Sequence, residues 1–349
     1  MDVIKIQEQL DKNRRTVSFD SYDITVRQLL DMVSEKAIDI APEYQRHFIW
    51  DETRQSQLIE SIFLGIPVPS LFMATNKDST WEVIDGLQRL TTIINYIADD
   101  IVIKSVNENG KKLTIEGLEK LDTFNGLTFD RLPKSLQLSF LTRPIRVTVL
   151  NDRSDFDIRF DLFERLNTGG VTLHPQEIRN CVYIGKFNTF IKKSAENRDF
   201  KSVIKLTKNA EKSGNIEELV LKFFAYFEHK DKFVHGVKEF LNTYMAEKTK
   251  TFKNEKALSD IFAKTFKFLN ENLPDGIVRG NRKNITPLVL YEAVAVGVAE
   301  NILNDKKMDS MKLVKLLNDN KLNSLTTGAT NSKSKLYQRI DYVRQNSLK

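Results

Sequence analysis

Trp81-Glu82-Val83-Ile84-Asp85-Gly86-Leu87-Gln88-Arg89-Leu90-Thr91-Thr92-Ile93-Ile94-Asn95-Tyr96 reads as a strand, a turn and a helix. Trp81, Val83 and Ile84 supply the aromatic and β-branched side chains that suit a strand, and Gly86 can take the dihedrals of a sharp reversal. In the helix Leu87, Leu90, Ile93, Ile94 and Ile97 fall at offsets 0, 3, 6, 7 and 10, one face at a 3.6-residue period. The other face is mostly polar, so the helix is expected to lie on a sheet. Its first turn then presents unpaired backbone N–H groups and the positive end of the helix dipole beyond the strand end. That is a candidate anion site. Arg89 adds a fork that can grip a phosphate through two bonds, and Asp85 is placed to take a metal, a ribose hydroxyl or a water proton. From these residues alone, an ordinary strand-to-helix turn with a surface arginine stays equally open.

Asp85-Gly86-Leu87-Gln88-Arg89 resembles the Asp-Gly-Gln-Gln-Arg signature of the GmrSD N-terminal (GmrS-type) family, with Leu87 in place of the first glutamine. Two further segments match in the same order. Pro42-Glu43-Tyr44-Gln45-Arg46-His47-Phe48-Ile49-Trp50 resembles the family's Tyr-Gln-Arg…Trp entry. Phe163-Glu164-Arg165-Leu166-Asn167-Thr168-Gly169-Gly170, with Leu173 and Glu177, resembles its Arg-Leu-Asn-x-Gly-Gly…Leu…Glu segment. The resemblance covers roughly residues 20 to 185. It implies a domain similar to the ParB/sulfiredoxin fold, in which a Gly-x-x-Arg at a helix start contacts nucleotide phosphate. It also implies that Arg165 and Asn167 line the nucleotide pocket beside Gly169 and Gly170.

The chain has 349 residues, 41% of them apolar, which suggests two domains with sizeable cores. No apolar run approaches a membrane span and Met1-Asp2-Val3-Ile4-Lys5 does not open a signal peptide, so a soluble, cytoplasmic protein is expected. The single cysteine, Cys181, excludes an internal disulfide and reads as a small buried hydrophobe on a helix. Charge is uneven. Residues 1–150 hold 18 Lys+Arg and 22 Asp+Glu, a net −4, while residues 151–349 hold 35 and 25, a net +10. A basic half is a candidate for nucleic-acid contact, and a solvated surface explains it as simply.

Along the chain, residues 16–20 read as a strand, Thr25 to Ser34 as a helix, and Ile38 to Ala41 as a second strand. Phe48 and Trp50 read as core anchors, whereas Arg46 is expected either to converge with Arg89 on one phosphate or to form a structural ion pair. Asp51 caps a helix ending at Leu64, with Gly65, Pro67 and Pro69 to stop it. Leu71 to Thr75 pairs with Trp81 to Asp85 across a polar turn, and Pro144 to Leu150 returns to the same sheet. Residues 101–131 read as a small hairpin insertion. A helix from Ser154 to Leu166 ends in Asn-Thr-Gly-Gly, where the glycines suit either a helix C-cap or a loop of exposed N–H groups. Beyond Tyr183 the apolar spacing is helical over Leu219–Phe227, Phe233–Met245, Leu258–Leu269 and Pro287–Leu303. Lysines and arginines gather between these helices at Lys205, Lys208, Lys248, Lys250, Lys253, Arg279, Arg282 and Lys283, and the tail from Lys333 to Arg344 reads as another basic helix.

A Walker-type phosphate loop is absent, and His47, His174, His229 and His235 stand in no metal-ligand spacing. Many members of the resembled family carry an HNH-type nuclease domain built around a catalytic histidine. No histidine follows His235, so a nuclease is expected on another polypeptide or not at all.

The expectation is therefore an α+β protein, a ParB/sulfiredoxin-like nucleotide-binding domain over residues 16–185 followed by an all-helical domain over 186–349. The favoured function is binding, and by resemblance hydrolysis, of an NTP with Mg²⁺ in a restriction or anti-phage defence system directed at modified DNA. Gly86 and the helix start would hold the phosphates, Arg89 and Arg46 would neutralise developing charge, Asp85 would position Mg²⁺ or the attacking water, and Gln88 would orient that water. DNA and a separate nuclease subunit are the expected partners. A non-enzymatic, nucleotide-switched DNA-binding protein is the alternative, and a metal nuclease using Asp85 and Glu164 is a third.

Overall fold

A computed structural model of the chain describes residues 3–13, 19–40, 48–76, 78–107, 109–151, 156–166, 174–207, 214–280 and 284–349. The chain divides into two compact units, Met1–Thr172 and Leu173–Lys349. The first is α+β and the second helical, as expected.

The amino-terminal unit opens with helix α1 (Val3–Asn13) and is built on strands β1 (Phe19–Thr25), β2 (Ile38–Asp39), β3 (Leu71–Thr75), β4 (Trp81–Asp85) and β5 (Pro144–Leu150). They form one mixed sheet in the order β1-β5-β3-β4-β2. β5 pairs antiparallel with β1 and parallel with β3, while β4 pairs antiparallel with β3 and parallel with β2. Of the strand read over residues 16–20, Phe19 and Asp20 open β1 and residues 16–18 lie outside the described residues; β1 continues to Thr25. Its run Asp20-Ser21-Tyr22-Asp23 has no apolar alternation, and its place comes from the ladder with β5, in which Phe19 faces Leu150 and Thr25 faces Pro144.

Helix α2 (Val26–Ser34) follows at once, with the Thr25 hydroxyl accepting from the Gln28 N–H. Helix α3 (Glu52–Leu64) is capped by Asp51 and stopped by Gly65 in the left-handed region at φ 70°. Helix α4 (Leu87–Ile97) is the centre of the unit. Every residue from Leu90 to Ile97 is buried, the polar Thr91, Thr92 and Asn95 included, so the polar face expected to meet solvent is covered instead. Some of its polar groups are bonded within the unit, while Asn95 Oδ1 and the Tyr96 hydroxyl are buried without a hydrogen bond among the described residues. The Thr92 hydroxyl donates to the Gln88 carbonyl at 2.7 Å, the Asn95 amide donates to Gln55 Oε1 at 3.2 Å, and the Asn95 carbonyl accepts from the Leu113 N–H.

The cover is partly the segment read as a hairpin insertion. It begins as helix α5 (Asp100–Val106) and then doubles back, with Ile115 N–H donating to Leu127 and Gly126 N–H to Ile115, but no strand forms among its described residues. Its Leu113, Ile115, Leu118 and Phe129 are buried, and Phe129 packs edge-on to Tyr96 at 5.5 Å. Helix α6 (Lys134–Leu141), which the periodicity did not foresee, adds Phe140 to the same aromatic group. Helix α7 (Phe156–Leu166) buries Phe160 and Phe163 and packs against β4.

The second unit contains helices α8 (Pro175–Val182), α9 (Lys186–Ala195), α10 (Arg198–Val203), α11 (Asn215–His229), α12 (Val237–Thr251), α13 (Glu255–Asn272), α14 (Leu288–Leu303), α15 (Ser310–Leu316), α16 (Asn320–Thr326) and α17 (Lys333–Asn346). Helix α8, which the family resemblance includes in the first domain, packs on α11 and α12. Cys181 is buried on it, as expected. Helix α14 is buried from Leu290 to Asn301, and Gly297 lets α17 approach, since a Cβ there would stand 3.0 Å from the Ile340 carbonyl oxygen.

A chain of alternating charge crosses this helical core. Arg179 on α8 is 1% exposed and donates to Glu218 on α11 at 3.0 Å and to Asn242 on α12 at 2.8 Å. Lys222 lies 3.3 Å from Glu218 and 3.6 Å from Glu292 on α14, and Arg339 on α17, also 1% exposed, donates to Glu292 at 2.7 Å. Burial by itself would push the Glu218 carboxyl up, but Lys222, Arg179 and His174 outweigh it and hold it below the usual glutamate value.

Candidate functional site

The turn between β4 and α4 has the geometry expected from its residues. Gly86 sits at φ 99°, ψ 13° as the N-cap of α4, and no side chain caps the helix there. An added Cβ would stand 2.5 Å from Leu71 Cδ2 and 3.1 Å from Arg89 Nη2, so the backbone is closely packed as well as left-handed. Gly86→Ala is expected to cost about 1–3 kcal/mol, from the positive φ and the contact with Leu71 together; a denaturant midpoint unchanged from wild type would show that the turn is not constrained.

Arg89 does not extend freely into solvent. Its Nη2 donates to Asp85 Oδ2 at 2.8 Å, and the two side chains are 13% and 30% exposed. The arginine therefore folds back over the turn and closes the strand end onto the helix start. Arg89 and Asp85 each serve as the other's counter-ion. An incoming phosphate would take over the arginine fork, and the displaced carboxylate would then be available to a cation.

Gln88 has a task that its position in the motif did not disclose. Its Oε1 accepts from the backbone N–H of Ile49 at 3.0 Å and of Trp50 at 3.2 Å. On the other side, the Trp50 carbonyl accepts from Gln55 Nε2 at 3.0 Å, and buried Gln55 is itself held by Asn95 of α4. The chain leading into α3 is thus tied at consecutive backbone groups to the first turn of α4. The Arg54 guanidinium lies over the Trp50 ring, 4.8 Å from its centroid. Trp50 packs on the core, as expected of an anchor, and is only partly buried.

Asp85, Gly86, Gln88 and Arg89 are therefore brought together. Arg165 lies exposed at the end of α7, the helix that packs on β4, beside exposed Glu164. Arg46, Asn167, Gly169 and Gly170 lie outside the described residues. No three His, Cys, Asp or Glu side chains converge to hold a metal among the described residues. Asp85 nevertheless suits magnesium, which is commonly bound by one or two carboxylates together with substrate phosphates.

In the second unit, several cations that read as candidates for nucleic acid are internal. Lys248 is buried against Glu228 at 2.7 Å. Arg279 donates to the Leu317 carbonyl at 2.9 Å, to Asn323 at 2.7 Å and to Thr326 at 3.0 Å, joining α15 to α16, and Arg339 lies in the core. Lys253, by contrast, is exposed, as are Lys256, Lys264 and Lys267 along α13. A cleft of about 460 Å³ opens beside α12, lined by His229, Lys232, His235, Glu239, Tyr244 and Glu247 among others. There Glu247 bonds Lys232 at 3.0 Å and stands 3.5 Å from His229. Among the described residues no helix is long and apolar enough to cross a membrane.

Residues 26–184 match the family model described as GmrSD restriction endonuclease, N-terminal domain, and the chain contains a domain of that family. A solved structure of a Pnob8-like ParB-N domain aligns over 96% of this chain and 100% of its own, at 11% identity and a TM-score of 0.24. No curated protein matches.

Proposed function

We propose that this chain, through the GmrSD N-terminal domain at residues 26–184, binds a nucleoside triphosphate at the β4–α4 turn and serves as a component of a restriction or defence system. The observation that carries this is the turn itself. A glycine in the left-handed region begins a helix that no side chain caps, and an arginine is folded over it, paired with a carboxylate. In this reading the N–H groups of the first turn of α4 and the Arg89 fork hold phosphate oxygens. Asp85, released from Arg89, would hold Mg²⁺, which when bound neutralises phosphate charge. Arg46, Arg165, Asn167, Gly169 and Gly170 are assigned to the pocket by the family resemblance. Gln88 is assigned to holding the Ile49–Trp50 backbone against the site.

Hydrolysis is proposed on the family resemblance, with Arg89 stabilising charge that develops on the transferred phosphoryl group. The role of Gln88 as a backbone brace favours, as the second reading, a protein that binds nucleotide as a switch without turning it over. Phosphate release by the purified full-length chain with ATP or GTP and Mg²⁺ separates them. Steady turnover supports the NTPase, and binding without release supports the switch.

DNA is the proposed partner of the second unit, with any cleavage carried out by a separate nuclease. Since Lys248, Arg279 and Arg339 are engaged internally, contact would fall to exposed lysines such as Lys253, Lys256, Lys264 and Lys267. Log affinity of the full-length chain for duplex DNA should then fall linearly with log salt, at about −0.9 per phosphate neutralised. Changing the four exposed lysines to glutamine should flatten that slope. A slope that is already flat in the wild type would leave these lysines as a solvated surface.

A further inference from the structure

We infer that Trp50 and Arg54 form a shelf for the nucleobase of the bound nucleotide, an assignment that rests on the phosphate site proposed at the β4–α4 turn. The indole is an unusual anchor. Its own backbone N–H is bonded to Gln88 and its carbonyl to Gln55, so the residue is fixed at both ends to side chains that belong to, or are held by, the helix whose first turn would take the phosphates. Gln88 is also the immediate neighbour of Arg89, which places the Trp50 backbone one side-chain length from the phosphate-gripping turn. A core anchor needs only its apolar area buried. Here the residue packs on the core but stays partly exposed, and the Arg54 guanidinium lies over the ring.

Arg54 can leave the ring at small cost. It is exposed, it lies in the first turn of α3, and a solvated guanidinium over a partly exposed aromatic contributes about 0.5–1 kcal/mol. A nucleobase is a flat π system that can enter between the indole and the guanidinium, stacking on one and being covered by the other. Such stacking accepts any base, because every base offers a π face. The shelf therefore distinguishes a nucleotide from a bare polyphosphate rather than one base from another.

The test compares ATP with inorganic tripolyphosphate, both with Mg²⁺, by calorimetric titration of the full-length protein. Wild type should bind ATP roughly ten- to a hundredfold more tightly than tripolyphosphate, the range expected for one stacked base. Trp50→Leu should reduce ATP affinity to that of tripolyphosphate while leaving tripolyphosphate unchanged. Trp50→Phe should fall between, and Arg54→Ala, at an exposed position, should lose part of the difference without loss of fold by melting curve. The chain has two tryptophans, so Trp81→Phe leaves Trp50 as the reporter, whose fluorescence ATP should quench and tripolyphosphate should not. Equal affinity of wild type for the two ligands, or a difference that survives in both Trp50→Leu and Arg54→Ala, overturns the shelf and leaves the phosphate site standing. Binding of neither ligand overturns the phosphate site, and the shelf with it.

Discussion

Glu292→Gln is expected to destabilise the helical unit by about 3–5 kcal/mol, because it removes the one anion between two buried cations without changing side-chain volume. Glu292 is 5% exposed and accepts from Arg339 at 2.7 Å, with Lys222 at 3.6 Å on its other side. An amide keeps one acceptor but no charge, so Arg339 is left with the Thr330 carbonyl and Lys222 with Glu218. At about 2–4 °C per kcal/mol for a domain of this size, the melting midpoint should fall by roughly 6–20 °C. The opposite outcome is expected when the whole group is removed. Replacing Lys222 and Arg339 by Met and Glu292 by Leu leaves Arg179 and Glu218 as a neutral pair, and should be close to neutral or stabilising. A small loss for Glu292→Gln would mean that water reaches the network. The pH dependence has a defined sign as well. Glu218 is held below 4.5, so its contribution is complete above that value and is lost as pH falls through its folded-state value. Acid should therefore open this unit below about pH 4.5, and Glu218→Gln should remove part of that acid sensitivity.

The parts of this protein that could be read from its sequence are those fixed by neighbours in the chain. The β4–α4 turn needed only a β-branched run, a glycine and a 3.6-residue period, and all three lie within residues 81–97. Capping by Asp51 and termination at Gly65 were legible for the same reason. The extension of the edge strand β1 over residues 21–24 was not legible because its polar residues carry no alternation, and a strand 127 residues away in sequence supplies its ladder, as in the pair Ser21 and Thr148. The burial of Asn95 was illegible because its partner Gln55 lies 40 residues earlier. Arg279 read as a loop cation because its three acceptors lie 38, 44 and 47 residues further on. Gln88 was assigned to water because the motif gives its position but not the two backbone groups, 38 and 39 residues earlier, that occupy its oxygen. Each of these partners is decided by how distant segments meet, which periodicity and local propensity do not encode.

Arg89→Ala is expected to weaken binding of a nucleoside triphosphate by roughly ten- to a hundredfold, the loss of one charge-assisted contact of about 1.5–3 kcal/mol. Its effect on folding should be smaller. The pair with Asp85 is partly exposed and contributes at most about 1 kcal/mol, to which the buried stem of an arginine only 13% exposed adds a modest term. Arg89→Lys keeps the charge and loses the fork, so it should recover part of the affinity. The more decisive variant is Asp85→Asn. In the wild type an incoming phosphate must displace the carboxylate at 2.8 Å from the guanidinium. With asparagine there is no anion to displace, so binding without Mg²⁺ should tighten, while the gain that Mg²⁺ gives the wild type should shrink. Titrations of wild type, Arg89→Ala and Asp85→Asn, each with and without Mg²⁺, read both effects beside melting curves. If Arg89→Ala binds like wild type, the phosphates do not lie at the start of α4; if Asp85→Asn weakens binding equally with and without Mg²⁺, the carboxylate holds the turn in shape rather than exchanging partners.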